Sequence, residues 1–358
     1  MHSTTWIELN SEALRHNAGV VRHLAPNANI LAMVKANGYG HGADWVAQTL
    51  GKQVNGFGVA RFNEAKNLRS SLPRAQILLL GTDCSAELLQ DCAALKIEIV
   101  VHSLAVAELI TKLSLSSPLN IWLKLNVGMN RLGMNTGDYQ RAHGILSESA
   151  NVADIIHMSH FSDAETSDTE LTLDQAKILH NVSRSLGKQP ISMANSAAII
   201  SHPSCHHDWV RPGIMLYGDD PCHCLQGAFE LRPVMNFKAK VIAVRDIDAG
   251  EGVGYNRRWR AQNPARIATI AAGYADGYPR QAPDGTPVLI NAQMAAIAGR
   301  VSMDLLTVDV SHLPNTKVGD VATLWGEGLP AAEVGRHCAT ISYELFTRIT
   351  DRVERRID

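Results

Sequence analysis

From residue 30 to about residue 217 the chain alternates short apolar runs with longer stretches of helical spacing. The apolar runs cover residues 30–34, 57–60, 77–80, 97–101, 120–125, 154–159, 190–193 and 209–215. Runs of this length read as buried strands, and parallel strands need a crossover helix between neighbours. One intervening segment shows its period clearly. Leu171, Ile178, Leu179, Val182 and Leu186 fall on one helical face, and Gly187 ends that helix. Eight strands alternating with helices predict an α/β fold, an N-terminal (β/α)8 barrel of the TIM type. A doubly wound open sheet is the alternative. The chain contains neither G-x-G-x-x-G nor a Walker A motif, which weakens nucleotide-binding versions of it.

The pattern changes after Arg232-Pro233. Residues 238–244, 266–271, 288–290, 294–298, 305–310 and 321–324 read as strands with little helix between them, punctuated by Gly, Pro, Asn and Asp. The expected organisation is a barrel domain over residues 1–232 and a mostly β C-terminal domain over 233–358. Residues 6–9 also alternate and fit either sheet. No repeat of solenoid period and no low-complexity segment interrupts the chain.

Composition narrows the partners. The 358 residues are 46% hydrophobic and 19% charged, with a formal net charge of -2. Such a chain can bury two cores. Its balanced charge argues against nucleic acid or an anionic membrane as partner. The first ten residues hold no apolar signal region, and no run approaches the ~18 apolar residues of a membrane helix. A cytoplasmic protein is expected, with its six cysteines as thiols. Cys205-His206-His207 and Cys222-His223-Cys224 match no standard zinc spacing, so no metal is expected.

In a barrel, chemistry gathers at the C-terminal ends of the strands. Lys35 closes the first apolar run, where lost hydration lowers its pKa and makes its amine nucleophilic. Lys124 ends the fifth run, with Arg131 just beyond, and His160 follows the sixth. Asn195 and Ser196 open a helix after the seventh. Arg211 and Gly213 lie on the eighth. Ser196 at a helix start and the backbone of Gly213-Ile214 suit a phosphate, and the phenols of Tyr39 and Tyr343 could add donors.

The stretch Val34-Lys35-Ala36-Asn37-Gly38-Tyr39-Gly40-His41-Gly42 resembles the pyridoxal 5'-phosphate (PLP) motif of bacterial alanine racemases. Five further segments resemble that family in the same order. They are Gly128-Met129-Asn130-Arg131-Leu132-Gly133, Trp209-Val210-Arg211-Pro212-Gly213, residues 249–255, Ala272-Gly273-Tyr274-Ala275-Asp276-Gly277-Tyr278-Pro279, and Gly299-Arg300-Val301-Ser302-Met303-Asp304. The resemblance runs from Trp6 to Tyr343.

It implies a PLP-dependent isomerase of L- and D-alanine, feeding peptidoglycan or alanine catabolism. A broader amino-acid racemase or a decarboxylase of the same fold is the alternative. Lys35 is implied as the lysine that bonds the cofactor. Tyr39, Ser196, Gly213, Ile214 and Tyr343 are implied as its phosphate cradle, Arg211 as the partner of its pyridine nitrogen, and His160 and Asn195 as further cofactor-binding residues. An arginine there stays cationic and disfavours a proton on that nitrogen, which shortens the life of the carbanion. Racemisation needs two acid/base groups on opposite faces. The resemblance assigns Lys35 to D-alanine and Tyr255 to L-alanine, with His160, near Arg211, tuning the phenol. Because Tyr255 lies in the second domain, the family's head-to-tail homodimer with shared sites is implied. Arg131 and the backbone N–H of Met303 are implied to hold the substrate carboxylate. Tyr274 and Asp304 belong to the entrance and its support. Lys124 matches a lysine that many family members carbamylate, although Asn126-Val127 stands where many carry Asp-Thr.

Overall fold

The computed structural model describes residues 3–81, 84–166 and 169–358, and no candidate site residue falls outside them. After β1 (Thr5–Leu9) come eight short strands: β2 (Asn29–Met33), β3 (Gly56–Val59), β4 (Gln76–Leu79), β5 (Glu98–Val101), β6 (Leu119–Lys124), β7 (Val152–Met158), β8 (Ile191–Ser192) and β9 (Trp209–Val210). Each pairs in parallel with the next. β9 returns to β2, with Asn29 opposite Trp209 and Ile30 opposite Val210. The barrel is therefore closed, and the open doubly wound sheet is excluded. Every residue of β3 and β5 is buried. Strands covered on both faces lose the in–out alternation of a half-exposed sheet, which is why they read as unbroken apolar runs. Asn10 starts the helix that leads into the barrel, and Ser85, Ser103 and Asn135 start three of its crossover helices, each accepting from the backbone N–H three residues on.

Three expectations about local structure are corrected. The run 209–215 is not one strand. β9 stops at Val210 because Pro212 has no N–H for a ladder, and Ile214–Tyr217 form a 3-10 turn. Arg211 and Gly213 thus stand beyond the strand. At the other edge of the seam, β2 stops at Met33 and Lys35 opens a turn. On the helix Thr169–Leu186, Leu171 and Ile178 are 45% and 43% exposed, while Thr172, Gln175, Ala176, Leu179 and Ser183 face inward. The polar members of that face are satisfied. Thr172 Oγ1 donates to Asp163 O, and Gln175 pairs with both the backbone and the hydroxyl of Ser162. Leu179, Val182 and Leu186 pack on the core as expected, but bonded polar groups can be buried at little cost, so apolar spacing alone shifts the face.

The second half builds β10 (Met235–Ile247), β11 (Gly252–Val253), β12 (Trp259–Arg260), β13 (Ala265–Ile270), β14 (Pro287–Ile290), β15 (Gln293–Ile297), β16 (Leu306–Asp309), β17 (Val321–Trp325) and β18 (Glu354–Ile357). β10 is the spine, pairing with β1, β13 and β17. The path β13-β16-β15-β14-β17-β10 closes back on β13, and β11 with β12 forms a separate hairpin. Residues 6–9 belong to this second sheet, since β1 runs antiparallel to β10 and parallel to β18. A short helix, Ser342–Thr347, leaves the sheet and meets the barrel at Gly40, where any side chain would collide with the Phe346 carbonyl. Among the described residues no helix is long and apolar enough to cross a membrane.

Candidate active site

The turn after β2 sets the site. Ala36, Asn37, Gly38 and Tyr39 have φ of 52°, 55°, 64° and 51°, one turn of left-handed helix beginning directly after Lys35. Each non-glycine residue in that conformation costs about 1–2 kcal/mol. The surroundings hold it in place. Glu64 Oε1 accepts from Ala36 N at 2.7 Å, while its Oε2 accepts from Ala60 N and Arg61 N at 2.9 and 3.0 Å. Asn37 Oδ1 accepts from Ala43 N at 2.9 Å, and Gly40 N donates to Ala36 O at 3.0 Å. The reversal turns the Tyr39 ring inward, where it is 6% exposed and stacks on Tyr217.

The turn borders a cavity of about 360 Å³ at the C-terminal mouth of the barrel. Lys35, Lys124, Arg131, His160 and Arg211 supply its charged and titratable wall. Tyr39, Asn195, Ser196, Gly213, Ile214 and Tyr343 line it as well. Asn195 caps the helix Ser196–Ser201 by accepting from Ala198 N. Ser196 Oγ accepts from Gly213 N at 2.9 Å and from Met215 N at 3.4 Å, tying two loops into one cradle. Gly213 borders Tyr39 closely: a Cβ there would lie 2.5 Å from the Tyr39 hydroxyl. A larger hollow of about 1030 Å³ opens at the other end of the barrel but contains none of the candidate residues. Its buried carboxylate, Glu98, is already bonded to Gln76, Asn120 and Trp122.

Arg211 is the most constrained cation, at 4% exposure. Nη1 donates to Ser192 Oγ at 2.6 Å, and Nη2 donates to Ser159 O at 2.7 Å and Met193 O at 3.2 Å. Nη2 also lies 3.1 Å from His160 Nδ1. A guanidinium only donates, so that imidazole nitrogen accepts and its ring proton sits on Nε2. Burial brings the Arg211 pKa down to about 10, so the group stays charged near neutrality. Burial, with Arg211, Lys124, Arg131 and Lys35 around it, holds His160 neutral, its pKa well below the ordinary value. Lys35 is lowered by burial and by Arg131 and Arg211, with Glu64 opposing. Lys124 falls to about 8, through burial and the charges of Arg211, Arg131 and Lys35. The mouth is a strongly positive enclosure, suited to an anionic ligand.

The remaining candidates stand elsewhere. Tyr255 follows the tight turn at Gly254 and is 67% exposed. Gly254 borders the backbone of Arg300. Tyr274 N donates to Ser302 O and Ala275 N to Met303 O, so the segments around Tyr274 and Met303 are bonded together. Asp304 pairs with Arg352 at 2.7 Å, and Arg352 also reaches Asp276. Met303 is 53% exposed and Tyr274 37%. None of Tyr255, Tyr274, Met303 or Asp304 lines the cavity that contains Lys35 in its own chain.

Sequence reading missed Glu64, Ser192 and Tyr217. Glu64 had a signal, an acid in the first turn of a helix directly after a barrel strand, a position at the mouth. Ser192 sits in a two-residue strand too short to show alternation. Tyr217, whose hydroxyl donates to Met33 O at 2.9 Å, was hidden in an apolar run that reads as core.

Comparison with known proteins agrees with this geometry. Residues 9–221 match the family described as alanine racemase, N-terminal domain, and residues 234–357 match alanine racemase, C-terminal domain. The chain is 43% identical to the biosynthetic alanine racemase of Pseudomonas aeruginosa over 345 residues, 96% of each protein. It is 44% identical to the alanine racemase of Alcanivorax borkumensis over 354 residues, 99% of each. The crystal structure of the Pseudomonas aeruginosa biosynthetic enzyme superposes with a TM-score of 0.95 at 41% identity, covering 99% of both chains. Alanine racemase from Bartonella henselae with covalently bound pyridoxal phosphate superposes at 0.91 with 29% identity, covering 99% of this chain and 100% of that one. With a lysine-bearing barrel mouth, a β-rich second domain and likeness along the whole length, the chain belongs to the alanine racemase family.

Proposed function

We propose that the protein interconverts L- and D-alanine, using PLP held at the barrel mouth, and works as a cytoplasmic homodimer with shared sites. The observation that carries this reading is the convergence of Lys35, the buried Arg211 and the Ser196–Gly213 notch on one cavity. These residues fit the cofactor. The glycine at position 213 leaves room beside the Tyr39 hydroxyl that a methyl group would fill. Ser196, Asn195, Ile214, Tyr39 and Tyr343 would hold the phosphate there, and Lys35 would anchor the aldehyde carbon covalently. Arg211, held against rotation by Ser192, Ser159 and His160, would meet the pyridine nitrogen. When bound, PLP withdraws electrons from the substrate Cα and acidifies its hydrogen.

The chain's own groups then divide the work. Lys35, with its pKa lowered by burial and neighbouring cations, moves the Cα proton on one face. Arg211 remains a cation and would discourage a second positive charge on a ring nitrogen bound against it. Arg131 pairs with the substrate carboxylate. The opposite face needs a second proton carrier, and no tyrosine of the cavity suits it: burial raises the pKa of both Tyr39 and Tyr343. The partner subunit's Tyr255 takes that place, with the partner's Met303 on the carboxylate and the partner's Tyr274 narrowing the entrance above Asp304. The exposure of Tyr255 and Met303 supports an interface at that surface. In this reading residues 1–232 bind the cofactor and residues 233–358 reach the neighbouring site.

Incubating purified protein with L-alanine and separating the enantiomers by chiral chromatography tests the reaction. A mixture approaching equal amounts is expected, with L-serine and L-lysine turned over more slowly. L-alanine left optically pure by the PLP-loaded protein would overturn the reading.

A further inference from the structure

His41 is fully buried, yet it belongs neither to the cavity wall nor to the apolar core. Its Nδ1 lies 2.9 Å from the carbonyl oxygen of Tyr39. A carbonyl only accepts, so Nδ1 carries the proton and Nε2 presents a lone pair, with no hydrogen-bond partner among the described residues. The ring is held from two sides. Tyr217 of the barrel lies 4.6 Å away, centroid to centroid, and Phe346 of the second domain meets it edge-on at 5.1 Å. Burial, with the charge of Arg355 adding to it, lowers the His41 pKa to about 4 and keeps the ring neutral.

The next carbonyl along the turn is held as well. Arg355, on β18, donates from Nη1 to Gly40 O at 2.5 Å. Tyr39 itself has a φ of 51°, a conformation that an L-residue keeps only where its surroundings require it. Tyr217 completes the brace, stacking on Tyr39 at 4.8 Å and donating its hydroxyl to Met33 O.

We propose that His41 is a positioning residue: by holding the Tyr39 carbonyl while clamped between Tyr217 and Phe346, it fixes the left-handed turn that sets the Tyr39 phenol against Gly213. Arg355 extends the same clamp, so docking of the second domain keeps the phosphate end of the site in shape. The inference rests on the cofactor reading above. It adds a role for a residue that touches neither cofactor nor substrate, and its effect falls on the phosphate rather than on the ring.

The test uses the full-length chain stripped of cofactor and titrated by absorbance with PLP and, separately, with pyridoxal, which lacks the phosphate. His41→Phe keeps the ring and removes the donor; His41→Asn keeps a donor near the Nδ1 position. His41→Phe is expected to weaken PLP at least tenfold while pyridoxal affinity changes less than threefold. His41→Asn should recover most of the loss. Wild-type PLP affinity in folded His41→Phe, or an equal loss for both ligands, overturns the proposal. If His41→Phe does not unfold cooperatively, Arg355→Leu decides in the same way, with a loss of at least threefold for PLP alone expected. Failure of the wild-type chain to bind PLP at all would instead sink the cofactor reading.

Discussion

Lys124 shows how the pocket's charges act on a single side chain. Its pKa of about 8 follows from burial and from Arg211, Arg131 and Lys35. At pH 7 roughly a tenth of such amines are neutral, and at pH 8 about half. A neutral amine can add carbon dioxide, and the resulting carbamate would place an anion among the cations. Protein equilibrated with 13C-bicarbonate should therefore give a carbamate resonance that strengthens from pH 7 to pH 8.5. Lys124→Arg should lack it. A spectrum identical in the variant would assign the signal elsewhere. Gly213 offers a steric counterpart. Its φ of -118° is ordinary but its ψ of -95° lies between the helical and extended wells, so Gly213→Ala should also lose some stability and is compared only as folded protein. The new methyl group would press on the Tyr39 hydroxyl, and PLP affinity should fall at least tenfold, about 1.4 kcal/mol or more. Equal affinity by titration would mean the phosphate sits elsewhere.

At the scale of elements, most of the barrel was legible and its most specialised turn was not. Strands such as β3 and β5 are buried along their whole length, so they announce themselves as apolar runs. A left-handed turn leaves no such mark. Ala36 has no preference that outweighs the sterics, and bonds within the turn, together with the long-range bond from Ala36 N to Glu64, hold it there. On the helix Thr169–Leu186 apolar spacing marks Leu179, Val182 and Leu186, which do pack on the core. It also includes the exposed Leu171 and Ile178, and it passes over Gln175 and Thr172, which find partners inside. Glu64 joins the ends of β2 and β3 through three backbone bonds, and it raises the Lys35 pKa against the lowering by burial. Glu64→Gln replaces one accepting oxygen with a donor. It should cost about 1–3 kcal/mol in urea unfolding. Loss of the negative neighbour also removes a stabiliser of the Lys35 cation, so that pKa falls. The acid limb of the pH–rate profile should then move to lower pH; a shift upward, or none, would separate Glu64 from Lys35.

At the scale of the whole molecule, one chain supplies an incomplete set. Lys35, Arg211 and the phosphate cradle share a cavity, while Tyr255 stands 67% exposed on the second domain. Family motifs made both halves legible as residues, but no pattern within one chain says which copy a side chain serves. Subunit exchange settles that question. Lys35→Ala and Tyr255→Phe should each be nearly inactive as pure dimers. In a shared-site dimer, a hybrid of the two has one site with both defects and one with neither. Random re-association makes half the dimers hybrid, so activity should return to about a quarter of wild type. If both residues served the same chain's site, every site in every dimer would carry one defect and mixing would restore nothing. The expected signal is thus a rise from near zero that appears only after dissociation and re-association, with Lys35→Ala mixed with itself as the control.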